Sequence, residues 1–146
     1  VYNDIGEIYS VQGDDFKALD YFKKSLKIVL SVYGENHSQV SSIYDHIGEI
    51  YFAQKDYSKA LYYFEESLKI RLSLFGENHP EVALSYYSIG SLYIIQGDKS
   101  KALNYYEKSL KIRLSVYGEN HPLTKEIMDL INVANSKVLQ SPETTK

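Results

Sequence analysis

Apolar residues along this chain fall at helical spacing, in blocks that return at a fixed interval. From Pro80 to about Gln96, Val82, Tyr86, Ile89, Leu92 and Tyr93 recur in steps of three and four, the stripe of an amphipathic helix. Pro80 suits the first helical turn, where its missing N–H has no intrahelical partner anyway. Gly97-Asp98 interrupts the stripe. A second run then extends from about Ser100 to Tyr117, with Ala102, Leu103, Tyr106, Leu110, Ile112 and Leu114 among its apolar positions. Gly118 follows, which predicts a left-handed C-terminal cap. Each block therefore predicts a helical hairpin.

The block repeats. Gly34-Glu35-Asn36-His37 returns as Gly76-Glu77-Asn78-His79 and as Gly118-Glu119-Asn120-His121, a period of 42 residues. Residues 37–78 and 79–120 match at about 24 of 42 positions without a gap. A fixed period in this range predicts a solenoid of stacked units. Gly6, Gly48 and Gly90 recur in the middle of the first helices, where glycine costs ~1 kcal/mol relative to alanine. Their constant phase predicts close packing there, against Ala18, Ala60 and Ala102 of the second helices. Tyr51, Tyr93, Phe64 and Tyr106 are expected to fill the intervening space.

These residues resemble the tetratricopeptide repeat, whose pattern runs bulky residue, Leu-Gly, Tyr, Ala, aromatic. The third unit has Tyr86, Ile89-Gly90, Tyr93, Ala102 and Tyr106. The second has Tyr44, Ile47-Gly48, Tyr51, Ala60 and Phe64, and the first has Tyr2, Ile5-Gly6, Tyr9, Ala18 and Phe22. The usual Trp and terminal Pro are missing, with Leu114 at the latter position. The unit exceeds the usual length of about 34. The excess lies around Lys111 to Tyr117, lengthening the second helix by ~12 Å. A long unit ending Tyr-Gly-x-x-His-Pro is similar to the 42-residue subclass of kinesin light chains.

The resemblance implies an all-α, right-handed superhelical solenoid of antiparallel helical hairpins. It spans residues 1–140 as one domain, with repeats at about 1–36, 37–78 and 79–120. Residues 122–139 read as a terminal capping helix: Leu123, Ile127, Leu130, Ile131, Ala134 and Val138 form one stripe, and Lys125, Glu126, Asp129 and Lys137 the other face. Asn132 and Asn135 stand where the repeated Gly and Tyr were. Residues 141–146 read as a disordered tail. Val1 aligns partway into a repeat, and Val1, Ile5 and Ile8 would lie on an uncapped apolar face, so upstream repeats are expected.

Composition narrows the functional classes. A net charge of −3 disfavours nucleic acid and anionic membranes as partners. No apolar run approaches the ~20 residues of a membrane span. Cysteine is absent, which excludes thiolate metal sites and cysteine nucleophiles; a cytoplasmic, reducing location is expected. His37, His79 and His121 sit one repeat apart. Stacked helices roughly 8–10 Å apart cannot bring them to one ion at ~2 Å bond lengths, so they read as helix caps rather than metal ligands. His46 stands alone. Ser25, Ser67 and Ser109 recur without a paired base and read as packing residues. Glu65 and Glu107 lie four residues before Lys69 and Lys111, the spacing of solvated ion pairs. No catalytic residue, cofactor or metal site is expected, and the chain reads as a non-enzyme.

Specificity is expected where the period fails. The second helices are nearly constant, with Lys-Ile-Arg-Leu-Ser at 69–73 and 111–115, whereas the first helices vary. In tetratricopeptide arrays the second, fifth, ninth, twelfth and thirteenth positions of the first helix line a concave groove. Carried over, these are Asn3, Glu7, Ser10 and Val11; Ser42, Asp45, Glu49, Phe52 and Ala53; and Leu84, Tyr87, Ser91, Ile94 and Ile95. Glu7, Asp45 and Glu49 are acidic; Phe52, Tyr87, Ile94 and Ile95 are apolar. The set suits a protein or peptide with basic and apolar portions, unless neighbouring helices cover it. Only Asn3 suits the family's clamp for C-terminal carboxylates, and an acidic groove would repel the acidic cargo peptides of kinesin light chains. The alternative is a structural module that self-associates end to end.

Overall fold

The computed structural model describes residues 1–140, with side chains described through Ser136. The expected tail at 141–146, and the roles expected for Lys137 and Val138, lie outside these residues. The described residues form seven helices: α1 (Tyr2–Val11), α2 (Asp15–Tyr33), α3 (Ser38–Ala53), α4 (Tyr57–Phe75), α5 (Pro80–Ile95), α6 (Lys99–Tyr117) and α7 (Pro122–Gln140). They pair as hairpins α1/α2, α3/α4 and α5/α6, and α7 packs on α6. The architecture is the all-α hairpin repeat that the period predicts. Each second helix has 19 residues. Two compact units divide the chain: one holds α1–α4 and ends at Gly76, and the other begins at Glu77 and holds α5–α7.

Hydrogen-bonding termini set the bounds of the hairpins. At the end of α3, Asp56 N–H bonds Tyr51 O at 2.9 Å and Lys55 N–H bonds Phe52 O at 3.0 Å. This crossed pair is the Schellman closure, which places one residue at positive φ. That residue is Gly13 in the first hairpin and Gly97 in the third, but Lys55, at φ 63°, in the second. The next residue is an aspartate each time. Asp14, Asp56 and Asp98 accept the backbone N–H of Lys17, Lys59 and Lys101, so helix end and helix start share one three-residue corner. A side chain in the left-handed region costs about 1–2 kcal/mol, part of which glycine's freer unfolded chain offsets. Lys55→Gly is therefore expected to stabilise the first unit by about 0.5–1 kcal/mol, read as a rise in the urea midpoint. An unchanged or lower midpoint would show that the turn is unstrained.

The second helices end differently from expectation. Gly118 has φ 84° and ψ 172°, the extended region reserved for glycine, rather than the left-handed helical region. The helix keeps its α-type bond to the last turn, with Gly118 N–H on Leu114 O. The chain then departs extended and reaches His121, whose ring stacks on Tyr117 at 4.2 Å. Gly34 does the same, and His37 stacks on Tyr33 at 4.3 Å. His37, His79 and His121 use Nδ1 to accept the N–H of Gln39, Glu81 and Leu123. All three are caps.

Inside each hairpin a glycine lies under an aromatic ring. A Cβ on Gly6, Gly48 or Gly90 would stand 2.8, 2.7 or 2.7 Å from the ring of Phe22, Phe64 or Tyr106. Ala18, Ala60 and Ala102 are fully buried beside them. Ser25, Ser67 and Ser109 are buried, and Ser109 Oγ donates to Ala83 O at 2.8 Å; they are packing residues. The ion pairs differ from expectation. Lys69 reaches Glu66 three residues back at 3.5 Å rather than Glu65, and among the described residues no ion pair joins Glu107 to Lys111. In α7 the buried stripe is Thr124, Ile127 and Ala134, while Leu123 is exposed. Thr124 turns inward because its Oγ1 donates to Arg113 O.

Candidate partner-binding faces

The first helices present their variable positions in two separate sets, one per unit. In the first unit, α1 and α3 converge on His46. Its Nε2 lies 3.3 Å from Glu7 Oε1 and its Nδ1 lies 3.8 Å from Glu49 Oε2. Its ring stacks on the buried Phe22 at 5.0 Å, nearly parallel. Asn3 Nδ2 donates to the same Glu7 oxygen at 2.9 Å. His46 is thus not alone: it is the hub of the acidic positions. Chain order hides this, because Glu7 comes from the preceding hairpin.

Asp45 also differs from a free groove acid. Its carboxylate lies 2.6 Å from Arg71 Nη1, and the Arg71 side chain is only 4% exposed. Burial pushes the Asp45 carboxyl above its ordinary value, with Arg71 and Ser67 acting in the other direction. Phe52 is half-buried and meets Tyr57 edge to face at 5.8 Å. Ser10, Val11, Ser42 and Ala53 are exposed. Of the acidic positions, Glu7 and Glu49 face solvent and Asp45 is consumed internally.

Hydrogen bonding to Glu49 holds the His46 imidazole above its ordinary 6.5 against burial, with the charges of Glu49, Glu7 and Asp45 adding to the rise. A histidine raised on folding adds stability that is complete below its unfolded value and fades as pH rises through the folded one. His46→Gln should therefore lower the melting temperature more at about pH 5.5 than at about pH 8.5. A difference independent of pH would mean that the ring acts through its stacking on Phe22 alone.

In the second unit, Tyr87 lies against Arg113, whose guanidinium carbon is 5.2 Å from the ring centre. Arg113 is buried and donates from Nη1 to Leu123 O at 2.9 Å. Burial lowers its value, while Glu126 raises it. Burial, then Glu126, raises the Tyr87 hydroxyl. Ser91 Oγ shares a 3.0 Å hydrogen bond with Tyr106 Oη. Leu84 and Ile95 are exposed at 43% and 49%, and Ile94 is half-buried. Sequence reasoning missed the two arginines. Their signal was a break in the second-helix constancy: Arg71 and Arg113 stand where the first hairpin has Val29, and they occur where the facing first-helix residue is Asp45 or Tyr87 rather than Asn3.

Among the described residues no group of three His, Asp or Glu converges as a metal site, and no helix is long and apolar enough to cross a membrane. A family model described as tetratricopeptide repeat matches residues 1–73 and again 41–115. The chain belongs to the tetratricopeptide repeat family.

Solved structures agree on the TPR fold. BtubC (BKLC) from P. vanneervenii superposes with a TM-score of 0.77 at 20% identity, covering 99% of this chain and 66% of that one. A Podosopora anserina protein described as a putative kinesin light chain with nearly identical TPR-like repeats gives 0.80 at 16% identity, covering 94% and 67%. The N-terminal domain of stress-induced protein-1 from C. elegans gives 0.63 at 20%, covering 88% and 91%. The chain thus spans about two thirds of the length of the first two. No curated protein matches it in sequence. TPR repeats are in general protein-interaction scaffolds, typically without catalysis, and the repeats here are kinesin-light-chain-like in fold.

Proposed function

We propose that this TPR chain is a protein-interaction scaffold whose first-helix faces receive a partner's peptide segments. The observation that carries the reading is the contrast within the chain. The second helices α4 and α6 are nearly identical, yet the exposed positions of α3 and α5 share little chemistry. In the first unit the face offers Glu7 and Glu49, the latter 68% exposed, and suits a basic segment. In the second it offers Leu84 and Ile95 and suits an apolar anchor.

The test is a peptide-display selection on the intact chain, followed by affinity measurement on two variants at exposed positions. Glu49→Lys should weaken a selected basic peptide about tenfold, and Ile95→Ser should weaken a selected apolar one by a similar factor. Full affinity for every selected peptide in both variants would remove the proposal. End-to-end self-association is favoured by one observation, the exposure of Val11 and Phe16 at the α1–α2 corner, at 90% and 85%. Sedimentation velocity across a concentration series tests it, and a concentration-independent monomer would exclude it.

A further inference from the structure

The same cavity occurs twice, once in each unit, between a Gly-Glu-Asn-His loop and the hairpin that follows it. In the second repeat it has a volume of about 360 Å³, and its walls include Glu35, Asn36, Tyr44, Tyr62, Glu66 and Lys69. In the third it has about 520 Å³, with Glu77, Asn78, Tyr86, Lys108, Lys111 and Ser115. Every residue named in the second set except Ser115 has its counterpart one period earlier in the first; the counterpart of Ser115 is Ser73, which also lines the smaller cavity. Between α4 and α6 only six positions differ. Two of them change wall residues of the smaller cavity: Tyr62 becomes Asn104, and Glu66 becomes Lys108, which lines the larger one.

The change from Glu66 to Lys108 reverses the charge and removes the acid that pairs with the lysine of the second repeat. In the second repeat Glu66 pairs with Lys69 at 3.5 Å, and the named acids outnumber the cations. In the first repeat the residue equivalent to Lys108 is Lys24, which pairs with Asp20, four residues back, at 3.0 Å. The third repeat has Asn104 in place of Asp20 and Lys108 in place of Glu66, so both acids are gone. Among the described residues neither Lys108 nor Lys111 forms an ion pair. Three residues apart, they share one helix face, and Glu77 is the one acid among the cavity's lining residues.

The site is also held in place. The Lys108 ammonium lies 5.5 Å from the centre of the Tyr86 ring and 5.4 Å from that of Tyr105, an arrangement that fixes the cation without neutralising it. Asn78 Nδ2 donates to Ser115 Oγ at 3.3 Å, which leaves the Ser115 hydroxyl proton available to another acceptor. Tyr86 lies about a quarter-turn around α5 from Tyr87, so this wall is distinct from the variable face described above. We infer that the cavity of the third repeat binds an oxyanion carried on a partner's peptide side chain, and that its counterpart in the second repeat does not.

The counterpart is a built-in control. The intact ¹⁵N-labelled chain would be titrated with acetyl-Gly-phosphoserine-Gly-amide and with its glutamate and serine analogues, and with inorganic phosphate. Saturable shifts are expected at Asn78, Tyr86 and Ser115, and not at Asn36, Tyr44 and Ser73. A response to phosphoserine alone identifies a phosphate ester as the occupant; a response to both anionic peptides identifies an acidic side chain as sufficient. Asn104→Asp/Lys108→Glu borrows the neutralising acids of the other repeats at two exposed positions, and should weaken binding about tenfold at unchanged helicity. Equal shifts in both cavities, binding of the serine peptide as strong as that of the anionic ones, a response to inorganic phosphate alone, or undiminished affinity in the double variant would each overturn the inference.

Discussion

Gly48→Val is expected to destabilise the first unit by about 3 kcal/mol or more, because it adds three carbons where there is no room for one. The first added atom would stand 2.7 Å from Phe64 Cε1, 2.8 Å from Cδ1 and 3.4 Å from the carbonyl oxygen of Ala60. Phe64 is buried in α4 and cannot swing into solvent. The helices must therefore part. Gly48→Ala sets two effects against each other. Alanine favours the helix by ~1 kcal/mol, but the clash costs about 1–3 kcal/mol, so a net loss is expected. Phe64→Leu removes the clashing ring edge, and Gly48→Ala should cost less in that background. Guanidinium unfolding of the four variants measures the coupling. A stable Gly48→Val, or additive effects of Gly48→Ala and Phe64→Leu, would show that the ring is not what excludes a side chain.

Removing one member of the Asp45–Arg71 pair is the second large effect expected. Asp45→Ala takes the carboxylate from a guanidinium that is almost wholly buried, and breaking a buried pair from one side costs about 3–5 kcal/mol. Removing both members is a different matter. The first hairpin solves the same position without charge, using Val29 and Asn3. That burial raises the Asp45 carboxyl despite its arginine means that desolvation is not fully offset by the pairing. The variant Asp45→Asn/Arg71→Val should therefore recover most of the stability lost by Asp45→Ala. Thermal melts would decide, and a double variant as unstable as the single one would refute this account. Such a result would assign the loss to packing around the long arginine side chain.

The candidate faces were only half legible. Leu84, Ile95, Glu7 and Glu49, placed on the first helices by the resemblance to tetratricopeptide arrays, are exposed in the structure. The same positions include Asp45 and Tyr87, which read in the sequence as ligand-facing and in the structure engage Arg71 and Arg113. The repeat phase says where on a helix a residue sits, but not what length of side chain arrives from the facing helix. His46 failed for the same reason: its two carboxylates come from α1 and α3, and only the second is a neighbour on its own helix.

The sequence by itself determined the helices and most of their joints, the extended departures at Gly34 and Gly118 excepted. Helical spacing, histidine caps and glycines at corners act over a few residues, and they are repeated, so each copy checks the others. It also determined the close packing of each hairpin. A glycine that returns mid-helix at constant phase, against its cost of ~1 kcal/mol, marks a place where a neighbouring helix leaves no room for a side chain. Only the tertiary structure decided which charges meet. His46 took Glu7, Arg71 took Asp45, and Lys108 was left facing a cavity without a carboxylate partner. Those outcomes depend on side chains several ångströms long reaching across helices that are far apart in the chain, and one-dimensional spacing carries no information about that reach.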